Sequence, residues 1–222
     1  MDRLLDILLS GIALLVLSPL MIPISIILKL TGEGEIFFLQ ERIGKGGHKF
    51  KLIKFATMLK NSANIGTGTV TVKGDPRVLP VGKFLRKTKI NELPQLLNIL
   101  VGDMSVIGPR PLTSQTFEAY SENTQKLIKQ VRPGLSGIGS IVFRDEEEIM
   151  HGKQASVDFY INSIAPYKGM LEEWFVENKS IRIYFLAICI TTWTVIFPNT
   201  KIVWSVFKNL PKPPTELEEF LK

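Results

Sequence analysis

The N-terminus of this chain is an almost uninterrupted apolar segment. Between Leu4 and Leu28 the only charged residue is Asp6. As a helix, the segment would be about 37 Å long, which exceeds the bilayer hydrocarbon thickness of about 30 Å. A secretory signal peptide is a poor alternative, because the only early basic residue is Arg3 and no small-residue cleavage site follows. The segment therefore predicts attachment to a membrane.

Two prolines inside this segment leave its path through the membrane open. Pro19 and Pro23 each lack a backbone donor and crowd the carbonyl four residues earlier, which favours a kink or a break. Arg3 precedes the segment and Lys29 follows it, so the flanking charges indicate no orientation. The residues alone fit a kinked spanning helix and a re-entrant helix equally well. The re-entrant form would break near Ser18 and leave both ends in the cytoplasm.

The composition of the whole chain is both apolar and basic. The 222 residues include 27 Lys and Arg against 21 Asp and Glu, a formal net charge of +6, yet the mean hydropathy is +0.17. This pairing excludes a disordered chain and argues against a soluble nucleic-acid binder, so we expect no nucleic-acid partner. With one cysteine, Cys189, and two histidines, His48 and His151, a disulfide framework and a Cys- or His-rich metal site are excluded.

Beyond the apolar segment, the patterns predict one domain with short strands and several helices. Glycines divide residues 32–58 into short apolar pieces that indicate strands or turns, and residues 61–73 are predicted to form a loop. Leucines at helical spacing predict a helix containing Leu93, Leu96, Leu97 and Leu100. Asn91 and Glu92 lie at its start, where capping and anion binding are both expected roles.

The C-terminal part contains a second apolar run, from Ile183 to Phe197. It is short for a membrane span, so it predicts a buried or interfacial helix. The last segment, Pro211 to Lys222, is interrupted by prolines and carries three glutamates. We expect it to be an exposed tail.

Basic residues concentrate between Lys73 and Lys89, where Asp75 is the only acid. A solvated basic face is the ordinary explanation, and contact with lipid headgroups or phosphate is the functional one. Arg110 follows, between two prolines. The planar guanidinium suits phosphate, although a turn explains the Arg-Pro pairs equally well.

Several of these pieces occur in a recognisable order. The two most specific are ELPQLLN at Glu92–Asn98 and GDMSVIGPRP at Gly102–Pro111. Shorter matches flank them, at residues 40–44, 54–58, 76–88, 131–137 and 177–180. On these motifs the chain resembles, over residues 1–200, the bacterial sugar transferases known as monotopic phosphoglycosyl transferases.

The resemblance implies an enzyme that moves a sugar-1-phosphate from a nucleotide diphosphate sugar, expected to be a UDP-sugar, onto polyprenyl (undecaprenyl) phosphate. The reaction would take place at the cytoplasmic face of the bacterial inner membrane, with the phospholipid bilayer as a partner. It would initiate the assembly of a polysaccharide or another glycan. The resemblance is also compatible with a homodimer.

The resemblance also implies an α/β, mostly helical fold in three parts. Residues 1–31 would form a re-entrant membrane helix, because Ser18 and Pro19 match the family's break between two helical halves. Residues 32–200 would form a compact cytoplasmic catalytic domain with short strands and C-terminal interfacial helices. Residues 201–222 would form the polar tail.

In this family an adjacent Asp-Glu pair directly precedes Leu-Pro-Gln. The Asp attacks the sugar-linked phosphorus, giving a covalent intermediate, and Mg²⁺ eases the charge on the phosphates. Here Glu92 keeps the Glu position and is the expected Mg²⁺ ligand, but Asn91 occupies the position of the nucleophile. The resemblance further implies that four basic residues bind substrate phosphate, namely Arg86, Arg110, Arg144 and Lys54.

Two further departures accompany Asn91: Ala56 stands where the family usually has Arg, and residues 138–147 replace the usual Gln-Val-Asn-Gly-Arg type of ending. Three explanations of Asn91 remain open. Glu92 takes over the attack or assists direct transfer, or a carboxylate of Asp145, Glu146 or Glu147 reaches the site. Alternatively, the substitution abolishes turnover and leaves a membrane scaffold that still binds the substrates. No motif encodes the sugar.

Overall fold

The computed structural model describes residues 2–66, 71–151, 154, 156–197 and 202–221, without the side chains of Ala63 and Glu147. The helices are α1 Asp2–Leu30, α2 Pro80–Lys87, α3 Gln95–Val101, α4 Ser114–Glu118, α5 Glu122–Ile128, α6 Ile138–Val142, α7 Glu146–Ile149, α8 Val157–Phe159, α9 Ala165–Glu177, α10 Ile181–Ile196, α11 Ile202–Val206 and α12 Thr215–Leu221. The strands are β1 Phe37–Ile43, β2 Lys49–Phe55, β3 Ser105–Ile107 and β4 Gly134–Ser136. The predicted mostly helical fold with short strands is confirmed.

Helix α1 runs without interruption through both of its prolines. Pro19 has no N–H to donate to the Leu15 carbonyl, which lies four residues earlier. The Ser18 hydroxyl donates to that carbonyl instead, at 2.9 Å. A neighbouring side chain thus replaces the hydrogen bond lost at Pro19. The backbone is helical through Pro23 as well, and the predicted break between two helical halves is not seen within Asp2–Leu30. The re-entrant path through a membrane remains a prediction.

One stripe of α1 packs against the rest of the protein along the whole helix. Asp6 is fully buried near its start, Leu14 packs on a core cluster at its middle, and Ile24 and Leu28 are buried near its end. The opposite side is apolar and exposed, at Leu4, Leu8, Ile12, Leu15, Val16, Ile22, Ile26 and Leu30. Among the described residues, α1 is the helix that is long and apolar enough to cross a membrane.

An antiparallel hairpin of β1 and β2 confirms the strands predicted within residues 32–58. Phe38 pairs with Lys54, and Gln40 pairs with Leu52. Alternate residues of a strand point to the same face of the sheet. Phe38, Gln40 and Arg42 therefore lie in one row, and all three face the cavity described below.

A short parallel pair, β3 and β4, holds the loop that carries Arg110. Ser105 pairs with Gly134, and Ile107 pairs with Ser136. Just after β4, the backbone passes close to the loop that follows β3. A Cβ on Gly137 would lie 2.1 Å from the carbonyl oxygen of Gly108 in that loop. Glycine at position 137 is thus required for the close approach of the two loops.

The main hydrophobic core lies in the C-terminal half and includes the last helix. Leu217 of α12 is fully buried with Phe175 of α9, and the Tyr167 hydroxyl donates to the Pro211 carbonyl at 2.8 Å. The prediction of an exposed tail over 211–222 is therefore wrong. The three glutamates suggested an exposed segment, but the stretch contains an amphipathic helix. Its few apolar residues contact elements that are distant in sequence.

Helix α10 confirms the helix predicted over 183–197, although Phe197 itself lies just beyond its end. Tyr184, Ala187 and Ile190 are buried on one side. The other side exposes apolar residues at Ile181, Phe185, Trp193, Val195 and Ile196. Like α1, this helix has one side in the core and one apolar side that no described residue covers.

Candidate active site

The centre of the site is a short 3-10 turn, Ile90–Glu92, between α2 and α3. Lys89 enters the turn with φ 60° and ψ 9°, a left-handed conformation that costs a non-glycine residue about 1–3 kcal/mol. Asn209 is the only other described non-glycine residue with a positive φ. The strained turn directs Asn91 and Glu92 to one cavity, so the strain lies where the two residues are positioned.

Neither Asn91 nor Glu92 caps the following helix. Pro94 is the N-cap residue of α3 and makes no side-chain capping bond. Asn91 is buried, and its Oδ1 has no hydrogen-bond partner among the described residues. Glu92 pairs with cations instead. Capping is thus the wrong explanation for both, and Asn91 leaves a buried acceptor unsatisfied beside the cavity.

Glu92 lies between two cations from different elements. Its Oε1 is 2.9 Å from Lys54 Nζ, at the end of β2, and 3.6 Å from Arg110 Nη2, in the loop after β3. The side chain of Glu92 is only 16% exposed. Residues far apart in sequence thus converge on one carboxylate.

The electrostatics of this group follow from its excess of cations. Burial by itself raises the pKa of Glu92, but the charges of Lys54 and Arg110 outweigh it and lower that pKa well below its usual value. Burial lowers the pKa of Lys54 to about 8, and the attraction of Glu92 only partly offsets this while Arg110 and Arg42 add to it. A single carboxylate does not neutralise the cations around it, so the site favours a further anion.

A polar cavity of about 160 Å³ opens above Glu92. It is lined by five cations and, among the described residues, by one carboxylate: the cations are Arg42, Lys54, Arg86, Lys89 and Arg110. Asn91, Gln40 and Thr57 add neutral polar groups to the wall. This lining suits a ligand with several phosphate oxygens and hydroxyl groups.

A second, largely apolar cavity of about 410 Å³ adjoins the first. Its wall includes Leu93, Ile141 and Phe143, and α10 contributes Ile188 and Val195. Three residues line both cavities: Lys89, Glu92 and Arg110. Glu92 therefore lies where a polar and an apolar chamber meet.

Three of the four predicted phosphate-binding residues, Lys54, Arg86 and Arg110, line the polar cavity. The fourth, Arg144, lines the apolar cavity instead, and its guanidinium donates to the Thr194 carbonyl of α10. The structure thus brings the four residues to one pair of cavities: Lys54 and Arg86 line the polar one, Arg144 lines the apolar one, and Arg110 lines both.

Of the described side chains in the acidic cluster after Arg144, Glu146 reaches the site, where it shares the wall of one cavity with Glu92, and Asp145 does not. Glu146 lines the apolar cavity and is paired with Lys168 at 2.8 Å. Asp145 is more than half exposed and lies 3.8 Å from Arg144. The side chain of Glu147 lies outside the described residues.

Sequence reasoning missed Arg42, Gln40 and Lys89 as individual site residues. Arg42 donates to the Pro111 carbonyl at 2.9 Å and to Gln40 Oε1 at 2.5 Å. The two-residue spacing of Gln40 and Arg42 in a predicted strand was the available signal. Lys89 gave no such signal, because its place in the site depends on its left-handed backbone.

A buried acid supports the Arg110 loop from behind. Glu172 of α9 accepts a hydrogen bond from the Arg110 backbone N–H at 3.3 Å, and burial raises its pKa to about 7. Its approach needs a residue without a side chain, because a Cβ on Gly139 would lie 2.4 Å from Glu172 Oε1. Gly139 belongs to the segment 138–147, which departs from the usual family motif.

Three related proteins illustrate what the chain is similar to. The UDP-N-acetylgalactosamine-undecaprenyl-phosphate N-acetylgalactosaminephosphotransferase of Aeromonas hydrophila is 40% identical over 155 residues, which are 69% of this chain and 34% of that protein. The exopolysaccharide production protein ExoY of Sinorhizobium fredii is 37% identical over 155 residues, 64% of this chain and 68% of that protein. The UDP-glucose:undecaprenyl-phosphate glucose-1-phosphate transferase of Escherichia coli is 35% identical over 186 residues, which are 82% of this chain and 38% of that protein.

The chain thus spans about a third of the length of the Aeromonas protein. A family model described as bacterial sugar transferase matches residues 1–198, which include both cavities and α1. A match of this length shows that the chain belongs to the bacterial sugar transferase family.

Proposed function

We propose that the chain transfers a sugar-1-phosphate from a UDP-sugar to undecaprenyl phosphate, or a closely similar polyprenyl phosphate, as the first step of polysaccharide assembly. The observation that carries this proposal is the cavity whose described wall holds five cations and one carboxylate, that of Glu92. A nucleotide diphosphate sugar supplies the anionic charge that this wall lacks. The names of the Aeromonas and Escherichia coli relatives state the same class of donor and acceptor.

The basic residues would have distinct roles in binding the donor. Lys54 and Arg110 already contact Glu92, so their remaining donors are directed to phosphate oxygens in the same cavity. Arg86 lies on the α2 side of the cavity, where its planar guanidinium suits two oxygens of the diphosphate. Together they would hold the sugar-linked phosphorus beside Glu92 and stabilise charge that develops during transfer.

Mg²⁺ is part of the proposal, and the chemistry of the available donors is compatible with it. Mg²⁺ in such sites is held by one or two protein oxygens, substrate phosphates and water. Glu92 offers a carboxylate, and the unsatisfied Oδ1 of Asn91 offers a second oxygen. When bound, the ion would reduce the negative charge on the phosphates.

The membrane part of the proposal concerns α1. Its exposed apolar side, together with the exposed side of α10, would contact the bilayer at the cytoplasmic face of the inner membrane. We further propose that in the bilayer α1, which is continuous in this structure, bends at Ser18 and Pro19, so that it enters and leaves the same face. Its inner stripe, which contacts the globular part from Asp6 to Leu28, supports this path, since a helix that crosses the bilayer would move away from the domain.

Asn91 supports a second candidate function, a scaffold that binds the substrates without turnover. A carboxamide does not replace a carboxylate as nucleophile. Both candidates predict binding of the nucleotide sugar, and they differ in whether product forms.

The deciding experiment uses the purified full chain in detergent with undecaprenyl phosphate, Mg²⁺ and a panel of UDP-sugars. We expect release of UMP and formation of a lipid-linked sugar diphosphate with one of the sugars. Lys126→Ala, a change at an exposed lysine of α5, is the matched control for Lys54→Ala, which is expected to weaken donor binding. Absence of UMP with every sugar in a folded chain, together with large activity of Asn91→Asp, would instead establish the scaffold.

A further inference from the structure

The two cavities differ in character but meet at the same three residues. The polar cavity holds the cation excess, whereas the apolar one is lined mostly by aliphatic and aromatic side chains. Lys89, Glu92 and Arg110 belong to both walls. Two ligands of different polarity can therefore reach opposite sides of the same charged group without sharing the rest of their binding sites.

The apolar cavity suits a phosphate attached to a long hydrocarbon. Its α10 wall ends at Val195, which is 46% exposed and lies beside exposed Trp193 and Ile196. A chain could leave the cavity along this apolar surface. The wall of the same cavity carries three cations that suit a phosphate, namely Lys89, Arg110 and Arg144.

No carboxylate with a described side chain is poised to form a covalent intermediate. Asn91 is an amide, and Glu146 is held by Lys168 at 2.8 Å. Glu92 is held by Lys54 and Arg110. Attack by this carboxylate would have to break these two contacts. Attack by an external phosphate does not meet this obstacle.

We propose that the acceptor lipid phosphate binds in the apolar cavity while the donor occupies the polar one, and that transfer is direct. This inference rests on the proposed function and concerns the order of its events. An oxygen of the lipid phosphate bonds to the sugar-linked phosphorus. The bond from that phosphorus to the oxygen bridging to the nucleoside phosphate breaks, and nucleoside monophosphate leaves with the electron pair. Lys89 and Arg110 lie between the two phosphates and reduce their repulsion.

Steady-state kinetics test the order of events. We vary UDP-sugar and undecaprenyl phosphate together, and we expect double-reciprocal lines that intersect. Stoichiometric protein mixed with UDP-sugar alone should release no UMP and show no gain in mass. Asn91→Asp, which restores a carboxylate, is the control that shows whether a phosphosugar adduct can be detected. Parallel lines, with a burst of UMP and a phosphosugar on the wild-type chain, would overturn direct transfer and leave the proposed function intact.

A paired substitution tests the location of the acceptor. Val195→Trp narrows the exposed end of the apolar cavity, and we expect it to raise the KM for undecaprenyl phosphate on the order of tenfold, with the KM for UDP-sugar unchanged. Val101→Trp is the matched control on α3, because Val101 is 72% exposed and lines neither cavity. An equal change in both KM values, or none, would overturn the assignment of this cavity.

If wild-type turnover is absent, a binding measurement tests whether the donor and the acceptor occupy separate cavities. Protein in vesicles that contain undecaprenyl phosphate should bind UDP-sugar with the same affinity as protein in vesicles that lack it. Competition between the two ligands would show that they share one site and would overturn the proposal. Absence of turnover despite joint binding would overturn direct transfer and the enzymatic function together, and would establish the scaffold.

Discussion

Two buried carboxylates in this protein differ in the balance of neutral and charged donors around them. Asp6, on α1, is fully buried, and its Oδ1 accepts hydrogen bonds from Ser105 Oγ at 2.8 Å, Val106 N at 2.9 Å and Tyr184 Oη at 2.8 Å. Glu92 faces a cavity, and cations rather than neutral donors surround it. The Asp6 group connects α1, β3 and α10 through neutral donors, with one cation, Arg132 Nη1, 3.7 Å from its Oδ2. The Glu92 group has excess charge and open space, which are the properties of a binding site.

The largest effect is expected from removal of the Glu92 charge. Glu92→Gln keeps the shape of the side chain but leaves Lys54 and Arg110 without their anion, and we expect activity to fall by about 10²–10³-fold. The melting temperature should also fall, because a carboxylate with a lowered pKa stabilises the folded state, but the loss of activity should be the larger effect. Activity and thermal unfolding of Glu122→Gln, at an exposed position of α5, provide the control. A large loss of stability with normal activity would mean that Glu92 is structural after all.

The reverse result is expected at Asp6. Asp6→Ala removes the acceptor of three hydrogen bonds and should destabilise the fold by about 3 kcal/mol, or about 6–12 °C in melting temperature. Ile12→Ala, on the exposed side of the same helix, should have little effect in detergent. Folded Asp6→Ala protein should keep nearly normal KM values. If it instead lost donor binding while remaining fully stable, the contrast between the two carboxylates would fail.

The pH dependence distinguishes binding from stability at the Glu92 group. Lys54 has a pKa of about 8, against 10.5 for an ordinary lysine, so the folded protein loses this proton at a lower pH than the unfolded chain does. Between these values, deprotonation of Lys54 stabilises the fold as the pH rises, whereas the affinity for an anionic donor falls. We expect UDP-sugar binding to weaken several-fold above pH of about 8, measured by calorimetry. Lys54→Arg should flatten that dependence.

The smallest effect is expected at Ser18, whose hydroxyl serves only its own helix. Ser18→Ala leaves the Leu15 carbonyl without a donor and should cost about 0.5–1.5 kcal/mol, measured by thermal unfolding in detergent. Ser18→Thr retains the hydroxyl and should behave like the wild type. A loss as large as that of Asp6→Ala would indicate that the two positions contribute equally to the fold.

Local patterns predicted much of the fold, and non-local contacts account for what they missed. The spacing of leucines predicted α3, although Leu93 lies before its start at Gln95, and glycine-bounded apolar pieces predicted short strands or turns where the structure has the β1–β2 hairpin. Burial of Leu217 was not predictable, because its partners lie on elements distant in sequence. At Pro19 the Ser18 hydroxyl takes over the hydrogen bond to the Leu15 carbonyl, which propensity alone does not include.

The candidate site was predicted through the order of its motifs rather than through its geometry. Motif order identified Glu92, Lys54, Arg86 and Arg110, which the structure brings to one cavity. It did not separate Arg144 from them, because the chamber that Arg144 lines is formed partly by α10, far along the chain. The existence of two chambers is a property of tertiary packing that no single segment encodes.

The inner stripe of α1 has a practical consequence for handling this protein. Residues of α1 complete three separate core clusters, through Leu5 and Leu9, through Leu14 and Leu17, and through Ile24 and Leu28. A chain shortened to begin after residue 31 would expose the partners of all three and lose the Asp6 hydrogen bonds as well. Solubility therefore has to be achieved around the helix, with detergent or a lipid disc, because removing the helix would remove part of the core.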